Sequence, residues 1–572
     1  MPVFFNGRLW VSPVTVSVID DSRMYNKNLS VDNVLALIGR SEGGKPATAL
    51  RFGSPQEARA LLRKGELLDA VEKAFDPSSQ TGGPVEVVAF RVNPATQAAL
   101  VLKDSGTADS VDLVSTDYGL YTNEIKVKIE AGSVKGKKLT TQFGNAYYTK
   151  DNVARDVMDV VYTGAEATAT ITTNGTQVVL SAPAGTPVST IDLTVYPTVL
   201  QLVDKINTVA GFTATVKDGN NEAASLQGLD FVTAQSVKTT AYTVTANLQA
   251  CVDWFNSTGE GFVTATRRAN VGAQLANIAF TYLAGGGDGT VTNTEWQNCF
   301  DALQAEDVQW VVPVSNSPSI HAMADTHVTF MSNVARMERR CIVGGPSGAT
   351  DDAAIAAAKT FNNDRTSYVH LGYYDYDHDG DLVLFPPYMT AALLGGMFAG
   401  VNPGTALTNK TIKVRGLERK LRNPVDTDRL IEGGVLCVED TKKGYKVVQS
   451  ISTWLANRNY NRVEVSTGVA TDFVARNVRN ALDDLRGARG NPATLQLAVE
   501  MCESALRELA RPEPAGPGVI VGDAASPAYR NIVASIEGDV LRVEFECSPV
   551  IPINYVLVVI HAVPWSGTIR QK

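Results

Sequence analysis

Segments typical of helices and of buried strands alternate between residues 247 and 405, and this alternation constrains the fold more than any other feature. The apolar runs 308–314 (VQWVVPV) and 341–345 (CIVGG) predict buried strands, and residues 319–339 and 351–361 predict helices beside them. Strands that are apolar on both faces need a layer of helices on each side of their sheet. The pattern therefore predicts a layered α/β domain.

A run of glycines at 283–290 (LAGGGDGT) has the backbone freedom to bind an anion and looks at first like a phosphate-binding loop. A nucleotide-binding P-loop also needs a lysine, followed by serine or threonine, at the start of the next helix. Here Gly289 is followed by TVTN, without a lysine. The glycines therefore predict a connecting loop, and Thr292 with Glu295 predicts a capping box for a helix that buries Trp296.

Residues 105–245 are rich in Thr, Val, Ala and Gly, and their patterns are those of strands. Residues 125–130 alternate between apolar and charged, and the Asn-Gly step within 167–180 is typical of a hairpin. One helix is predicted near 198–209. The polar composition of the whole segment predicts a β-rich domain inserted at the surface.

Other segments give clear local signals. VLALIG (34–39) and VEVVAFRV (85–92) are typical of buried strands, and residues 54–75 are typical of one helix. Asn491 followed by Pro492 predicts the start of a long helix, because asparagine caps helices and proline suits their first turn.

Both ends of the chain favour strands. Residues 3–11 (VFFNGRLWV) carry an Asn-Gly step between apolar runs, which predicts a hairpin, and residues 14–18 alternate as a half-buried strand does. Residues 541–547 also alternate between apolar and charged, so this predicted strand has one face in solvent. Residues 555–563 (YVLVVIHAV) are apolar on both faces, so both sides of a strand there must be covered.

Length and charge narrow the possible functions. A chain of 572 residues should divide into about three to five domains. The net charge of −9 argues against a protein that binds nucleic acid. Residues 387–401 form the nearest candidate for a membrane span, but this run is shorter than the roughly 18–20 residues required and contains glycines. No secretory signal is evident at the start, so we expect synthesis in a cytoplasm.

Candidate catalytic and metal sites are weak. The six cysteines show no CxxC spacing, which favours reduced, buried thiols, with disulfides between subunits as the alternative. Residues 375–380 (DYDHDG) begin like a calcium loop, but Pro386 replaces its final glutamate, so a hairpin turn is favoured. His321 and His327 lie six residues apart on one predicted helix, which does not suit a zinc pair. Without a Gly-x-Ser-x-Gly motif we expect no enzyme, no catalytic residue, no cofactor and no bound metal.

The order of several segments resembles the contractile-tail sheath proteins of bacteriophages and related injection machines. The resemblance covers nearly the whole chain, and the order of the segments carries it more than any single motif. The segments are DNVLALIGRSEGGKP (32–46), FGSPQEARALL (52–62), VEVVAFRV (85–92), YGLYTNEIKVKIEAG (118–132), LAGGGDG (283–289), VQWVVPV (308–314), LVLFPPYMTAALLGGMFAGVNP (382–403) and GGVLCVEDTKKGYKVVQSISTW (433–454). The chain departs from the family at 12–20 (SPVTVSVID), where a Pro-Gly-Val-Tyr-like stretch is common.

The resemblance implies a multidomain fold of the α/β plus β class. The core would be a layered, subtilisin-like α/β domain in fold only, because the catalytic sequence contexts of subtilisin are missing. The implied regions are 1–25 (extended amino-terminal arm), 26–104 (amino-terminal α/β region), 105–245 (β-rich inserted outer domain), 246–432 (subtilisin-like α/β domain), 433–553 (α+β carboxy-terminal domain) and 554–572 (carboxy-terminal strand or arm).

The resemblance also implies a structural function. Subunits of this family stack as hexameric rings around a tail tube, and contraction of the sheath drives the tube through the host envelope. The implied partners are further copies of the chain, the tail tube protein, and the baseplate and tail terminator proteins, without nucleic acid or membrane insertion. The implied location is the virion, after assembly in the host cytoplasm. An R-type bacteriocin or related injection system is one alternative, and a subtilisin-fold hydrolase is another.

In the family, terminal arms add strands to sheets of neighbouring subunits. Such pairing also protects exposed sheet edges, which otherwise promote aggregation. The residues that we expect to take part are Phe4, Trp10, Val14, Val16, Val18, Leu541, Val543, Phe545, Tyr555, Leu557 and Val559.

Overall fold

The computed structural model describes residues 3–5, 8–10, 33–217, 219–257, 261–377, 379–565 and 567. This part of the chain has a mixed α/β fold with several sheets, the largest of seven strands. Buried apolar side chains form five clusters in this part of the chain. One cluster lies on each face of the central sheet, two lie in an inserted region, and one lies near the carboxy terminus.

The central sheet is parallel except at one edge. Its strands, in spatial order, are Val435–Leu436, Thr366–Val369, Arg340–Gly344, Trp310–Pro313, Val34–Gly39, Glu86–Arg91 and Leu50–Phe52. Only Leu50–Phe52 runs antiparallel to its neighbour within this sheet as described. The strands predicted at 34–39, 85–92, 308–314 and 341–345 are therefore confirmed.

Helices cover both faces of the central sheet. On the strand Val34–Gly39, Leu35 and Leu37 belong to one buried cluster, and Ala36 and Ile38 belong to the other. The helices are Pro55–Leu62, Glu66–Phe75 and Pro387–Gly400 on the first face, and Asn293–Leu303, Pro318–Asn333, Asp351–Phe361 and Val425–Glu432 on the second. This is the layered arrangement that the alternation of segments predicts.

The apolar helix Pro387–Gly400 is buried within the protein, and its glycines let it approach a second helix closely. A Cβ atom on Gly396 would lie 2.2 Å from the carbonyl oxygen of Ala74, inside the helix Glu66–Phe75. Phe398 stacks on Trp310 of the central sheet with ring centroids 4.5 Å apart. The apolar run predicted as too short for a membrane span is therefore a core helix.

Two helix predictions need correction. Residues 54–75 form two helices, because the chain turns at Arg63, with φ of 65°, and at Gly65, with φ of 111°. The helix predicted at 319–339 ends earlier, at Asn333, because Arg336 adopts a left-handed φ of 61°. Apolar periodicity continued across both turns in the sequence and hid them.

The central sheet joins segments that are far apart in sequence. Its strands come from the predicted regions 26–104 and 246–432, and its edge strand Val435–Leu436 comes from region 433–553. The first two regions thus share one sheet and its two cores, although about 140 residues of strand-rich sequence separate them along the chain.

The inserted region is built mainly from antiparallel strands, as predicted. Its strands are Ala99–Lys103, Asp109–Ser115, Lys126–Ala131, Lys137–Phe143, Ala146–Val153, Asp156–Tyr162, Thr170–Thr173, Gln177–Ser181, Pro187–Asp192, Phe212–Val216, Val232–Ser236, Tyr242–Thr245, Val263–Arg267 and Ile278–Tyr282. The helix predicted near 198–209 is Val199–Asn207, and Thr198 with Gln201 forms its capping box.

The inserted region extends past residue 245. The helix Asn247–Ser257 buries Leu248 and Phe255 in the same cluster as Val127 and Leu139 of the inserted strands. The last strand of the region, Ile278–Tyr282, pairs with Lys126–Ala131. An amphipathic helix packs its apolar face against a neighbouring apolar core, and for this helix that core belongs to the inserted region.

A neck of two chain crossings connects the inserted region to the central sheet. The backbone of Thr96 donates to the carbonyl of Gly287 at 2.8 Å, so the outgoing and returning crossings lie side by side. Arg91, which is fully buried, donates to the carbonyls of Gly44 and Tyr118, both at 2.9 Å, and to Asp288 at 2.7 Å. The glycine run predicted as a connecting loop thus forms half of this neck.

We expect Arg91→Met to loosen the neck. The substitution leaves two carbonyls and the Asp288 carboxylate without their buried donor, at a cost of about 3 kcal/mol in unfolding free energy. Hydrogen exchange should increase at residues 117–123 and 284–289. Arg268→Met, which removes a half-exposed pair with Asp112, is the control and should change exchange little. Equal effects of both variants would contradict a special role for Arg91.

The carboxy-terminal region contains two long helices and a long hairpin. Its elements are Val438–Thr441, Gly444–Val447, Tyr460–Val463, Val465–Leu482, Pro492–Leu509, Tyr529–Glu537 and Val540–Cys547. Asn491 caps the helix Pro492–Leu509, as predicted, by accepting from the backbone of Thr494 at 2.9 Å. A separate three-stranded sheet contains Tyr373–Tyr376, Leu382–Phe385 and Gly416–Leu417.

A buried ionic cluster fixes the helix Val465–Leu482 to the central sheet. Asp472 on this helix pairs with Arg340, at 3.1 Å, and with Arg365. Arg340 lies in a central strand with only 4% of its side chain exposed, and burial lowers the pKa of its guanidinium. The ion pairs thereby hold this helix against the central sheet.

Candidate assembly surface

The carboxy-terminal hairpin, residues 529–547, is a two-stranded sheet that packs one face on the long helices. Gly538, with φ of 63°, and Asp539 form its two-residue turn. Val543 and Phe545 point toward the cluster that includes Phe473 and Leu506, while the intervening side chains face solvent. The predicted strand with one wet face is therefore confirmed.

Both long edges of this hairpin are open in the described chain. The sheet holds only the strands Tyr529–Glu537 and Val540–Cys547 among the residues that the structure describes. Opposite residues alternate between hydrogen-bonded and non-bonded pairs, and the turn closes on the bonded pair of Glu537 and Val540. Ala534 and Val543 therefore form a non-bonded pair, whose backbone N–H and C=O groups point outward along the two edges.

An apolar groove of about 840 Å³ lies between the hairpin and the end of the helix Val465–Leu482. Val478, Leu482 and Leu485 form one wall, and Ile536 and Leu541 form the other. The groove is open, so an extended segment lying along the hairpin could place side chains in it.

The carboxy-terminal segment, residues 555–565, projects eight large apolar or aromatic side chains into solvent. Tyr555, Leu557 and Val559 are 80%, 92% and 77% exposed. The segment joins no strand in the structure as described, which differs from the strand predicted at 555–563. Among the described residues, this doubly apolar segment therefore pairs with no strand of its own subunit.

The predicted strand-exchange residues fall into four groups. Leu541, Val543 and Phe545 lie on the hairpin, and Tyr555, Leu557 and Val559 lie on the exposed segment. Phe4 and Trp10 lie in the paired strands Val3–Phe5 and Arg8–Trp10, so the predicted amino-terminal hairpin is confirmed. Val14, Val16 and Val18 lie outside the described residues. For all four groups, the role in strand exchange stays a prediction.

The root of the exposed segment is a polar cluster that the sequence patterns did not reveal. Asn554 donates to Glu464 at 3.1 Å and accepts from the hydroxyl of Thr408 at 3.2 Å. Glu464 is only 2% exposed, and burial raises the pKa of its carboxyl group. A single amide side chain within an apolar run is the signal that could have pointed to this site.

Most of the cysteine and histidine side chains in the described part of the chain are buried. Burial raises the pKa of the Cys299 thiol to about 12 and that of Cys502 to about 11, so these thiols stay protonated. All six cysteines are free in the subunit. His321 and His327 lie apart, as predicted, and burial lowers the pKa of both, that of His327 to about 3.

The calcium-like sequence at 375–380 forms the predicted hairpin turn between Tyr373–Tyr376 and Leu382–Phe385. The Asp377 carboxylate accepts from the backbones of Asp379 and Asp381, and Asp375 pairs with Lys73. In the part of the chain that the structure describes, no group of three or more His, Cys, Asp or Glu is placed to hold a metal.

Comparison with known proteins identifies the family. The family model described as "Phage tail sheath protein central domain" matches residues 289–453. A protein from Bacillus phage SP01, named "Tail sheath protein", is 30% identical over 99% of this chain and 98% of its own length. The chain belongs to the phage tail sheath protein family.

Two further comparisons agree with this assignment. The "Putative tail sheath protein" of Enterococcus phage phiEF24C is 29% identical to this tail sheath chain, over 82% of the chain and 84% of the relative. The crystal structure of a sheath tail protein from Listeria innocua has the same overall fold, with a TM-score of 0.56 and 13% identity. It covers 92% of this chain and 94% of the other.

The family assignment places this chain among the structural proteins of phage tails. Among the described residues, no helix combines the length and the apolar character that crossing a membrane requires. In a protein of this family, the open hairpin 529–547 and the exposed segment 555–565 are the candidate contacts between subunits.

Proposed function

We propose that this chain is the polymerising subunit of a contractile phage tail sheath, and that terminal arms join neighbouring subunits by strand addition. The observation that carries the proposal is the coexistence of a two-edged open hairpin, 529–547, and an exposed apolar segment, 555–565, in one chain. One has unpaired backbone groups, and the other has uncovered side chains. Strand addition would pair the backbone groups of the hairpin edge and cover the apolar side chains of the segment.

The proposed contact joins different surfaces of identical subunits. When the segment of one subunit lies along the hairpin of the next, the backbone edges pair and apolar side chains enter the groove beside Leu541. A head-to-tail contact of this kind generates a ring when its rotation closes and a helix when it does not. Stacked hexameric rings with a helical offset fit such contacts.

The finer assignments are part of the same proposal. The central sheet with its two helix layers would be the subtilisin-like domain, and residues 1–25 and 554–572 would be the arms. The tail tube, baseplate and tail terminator proteins would be the partners, and assembly would take place in the host cytoplasm. Contraction would repack the α/β domains into a second stable arrangement while the arms stay paired.

A proline on the hairpin edge tests strand addition. Ala534→Pro removes an outward N–H without removing a hydrogen bond of the hairpin itself, because Ala534 lies at a non-bonded pair. A strand added on that edge would lose a ladder bond and meet the proline ring. We expect the protein concentration needed for assembly to rise at least about tenfold. Sedimentation and negative-stain microscopy would measure it.

Ala534→Val is the matched control, because it retains the N–H and favours strands. It should assemble like the unmodified chain. Circular dichroism should show that the proline variant is folded. Normal tubes from a folded Ala534→Pro variant would show that this edge receives no strand.

A further inference from the structure

The exposed segment has a sharply defined root. Upstream, the backbone of Val550 still donates to Val519 at 2.9 Å. From residue 551 onward, the hydrogen bonds to the rest of the described chain come from the side chain of Asn554. Tyr555, directly beyond it, is 80% exposed. The transition from held to free chain thus occurs at one side chain.

The partners of Asn554 lie on two separate parts of the subunit. Thr408 belongs to the loop that follows the core helix Pro387–Gly400, and Glu464 immediately precedes the helix Val465–Leu482. Each of these helices is firmly held, the first by the central core and the second by the Asp472 ion pairs. The amide therefore fixes the root to the rigid body of the subunit.

Glu464 is suited to hold an amide donor. Its Oε1 accepts from Ser466 at 3.2 Å, and its Oε2 accepts from Gln449 at 3.3 Å and from Asn554 at 3.1 Å. A carboxylate that is 98% buried needs such donors, because it has lost its water. Removing the Asn554 amide leaves one acceptor position unfilled.

We propose that Asn554 is the pivot of the carboxy-terminal arm: it fixes where the arm leaves the subunit and so sets its reach to the neighbour. This inference rests on the proposed function of the arm. An extended chain spans about 3.3 Å per residue, so releasing Asn554 and moving the root back to Val550 adds roughly 13 Å of slack. Longer tethers lower the effective concentration of a bound end, and a fixed root favours one geometry of contact. This role accounts for an asparagine at position 554, where the surrounding run of the sequence is apolar.

Chymotrypsin cleavage of the full-length, unassembled subunit tests the pivot. The protease cuts after Tyr555, next to the pivot, and after Trp565, which is 90% exposed and far from it. A protease needs several residues in extended, free form on both sides of its cut. Asn554→Ala should raise the rate of cutting after Tyr555 about fivefold relative to Trp565. Thr408→Val should give a smaller increase, because it removes one of the two hydrogen bonds.

Asn402→Ala is the control variant. It removes a side-chain hydrogen bond to Glu513, at 2.7 Å, that does not involve the arm, and the cleavage ratio should stay constant. An unchanged ratio in Asn554→Ala would overturn the pivot. The same variant should also form sheaths with a wider spread of helical twist, and uniform sheaths would count against the pivot.

The two levels of the proposal fail differently. If removal of residues 555–572 leaves assembly intact, the arm itself is not used, and the proposed function is wrong. If that removal blocks assembly while Asn554→Ala changes neither the cleavage ratio nor the sheaths, the arm is used and only the pivot is wrong.

Discussion

Deletion of residues 555–572 is expected to abolish self-assembly and to leave the subunit folded. The deleted segment carries eight large apolar or aromatic side chains that are between 75% and 92% exposed. Burial of one such side chain contributes about 2 kcal/mol. Even three of them contribute about 6 kcal/mol, which is roughly four powers of ten in the association constant. Sedimentation velocity and negative-stain microscopy would show subunits in place of tubes.

The same deletion should hardly change thermal unfolding, because Asn554 and the hairpin remain in place. Removing only residues 568–572 is the control, since it spares the apolar segment, and it should assemble normally. Tubes formed by the longer deletion at ordinary protein concentration would refute a role for the segment.

Asp472→Ala should destabilise the subunit more than any surface substitution considered above. The change leaves Arg340 and Arg365 buried without their shared carboxylate. Uncompensated buried charges of this kind cost about 3–5 kcal/mol. Urea unfolding followed by circular dichroism should show an early transition. Because the ion pairs join the helix Val465–Leu482 to the central sheet, the carboxy-terminal region should separate first.

Asp483→Ala provides the comparison for that prediction. Asp483 pairs with Arg486 at the surface, where both side chains are more than half exposed. Such pairs contribute less than about 1 kcal/mol, so the unfolding midpoint should barely move. Similar midpoints for the two variants would mean that Asp472 does not hold the helix to the sheet.

The fold was predictable where burial produces a regular pattern. Strands such as Val34–Gly39 are apolar on both faces, and a layer of helices on each face of the sheet explains that pattern. The breaks at Arg63 and Arg336 were not predictable from periodicity, because arginine is a good helix former. Only Gly65, which lies beside the first break and also has a positive φ, gave a local signal. The assignment of the helix Asn247–Ser257 to the insertion depends on tertiary packing, which periodicity does not report.

The assembly surface was predictable in part. Alternation identified the hairpin strand Val540–Cys547, and apolar character on both faces identified 555–563 as a segment in need of cover. The contacts of Asn554 with Thr408 and Glu464 were out of reach, because they join residues 146 and 90 positions apart. No local rule links such residues, and only the folded chain brings them together.

The narrow neck at Arg91 and Asp288 has a consequence for how tails of this kind diversify. The chain leaves and re-enters the body at two adjacent crossings, about one strand spacing apart, so everything between Ala99 and Ala284 behaves as a cassette. A different domain whose two ends lie equally close could be grafted there, provided that it offers Arg91 an acceptor in place of the Tyr118 carbonyl. Peptides or enzymes fused at this point would be carried by every subunit, and natural exchange at the same point would change the inserted domain while the central sheet stays the same.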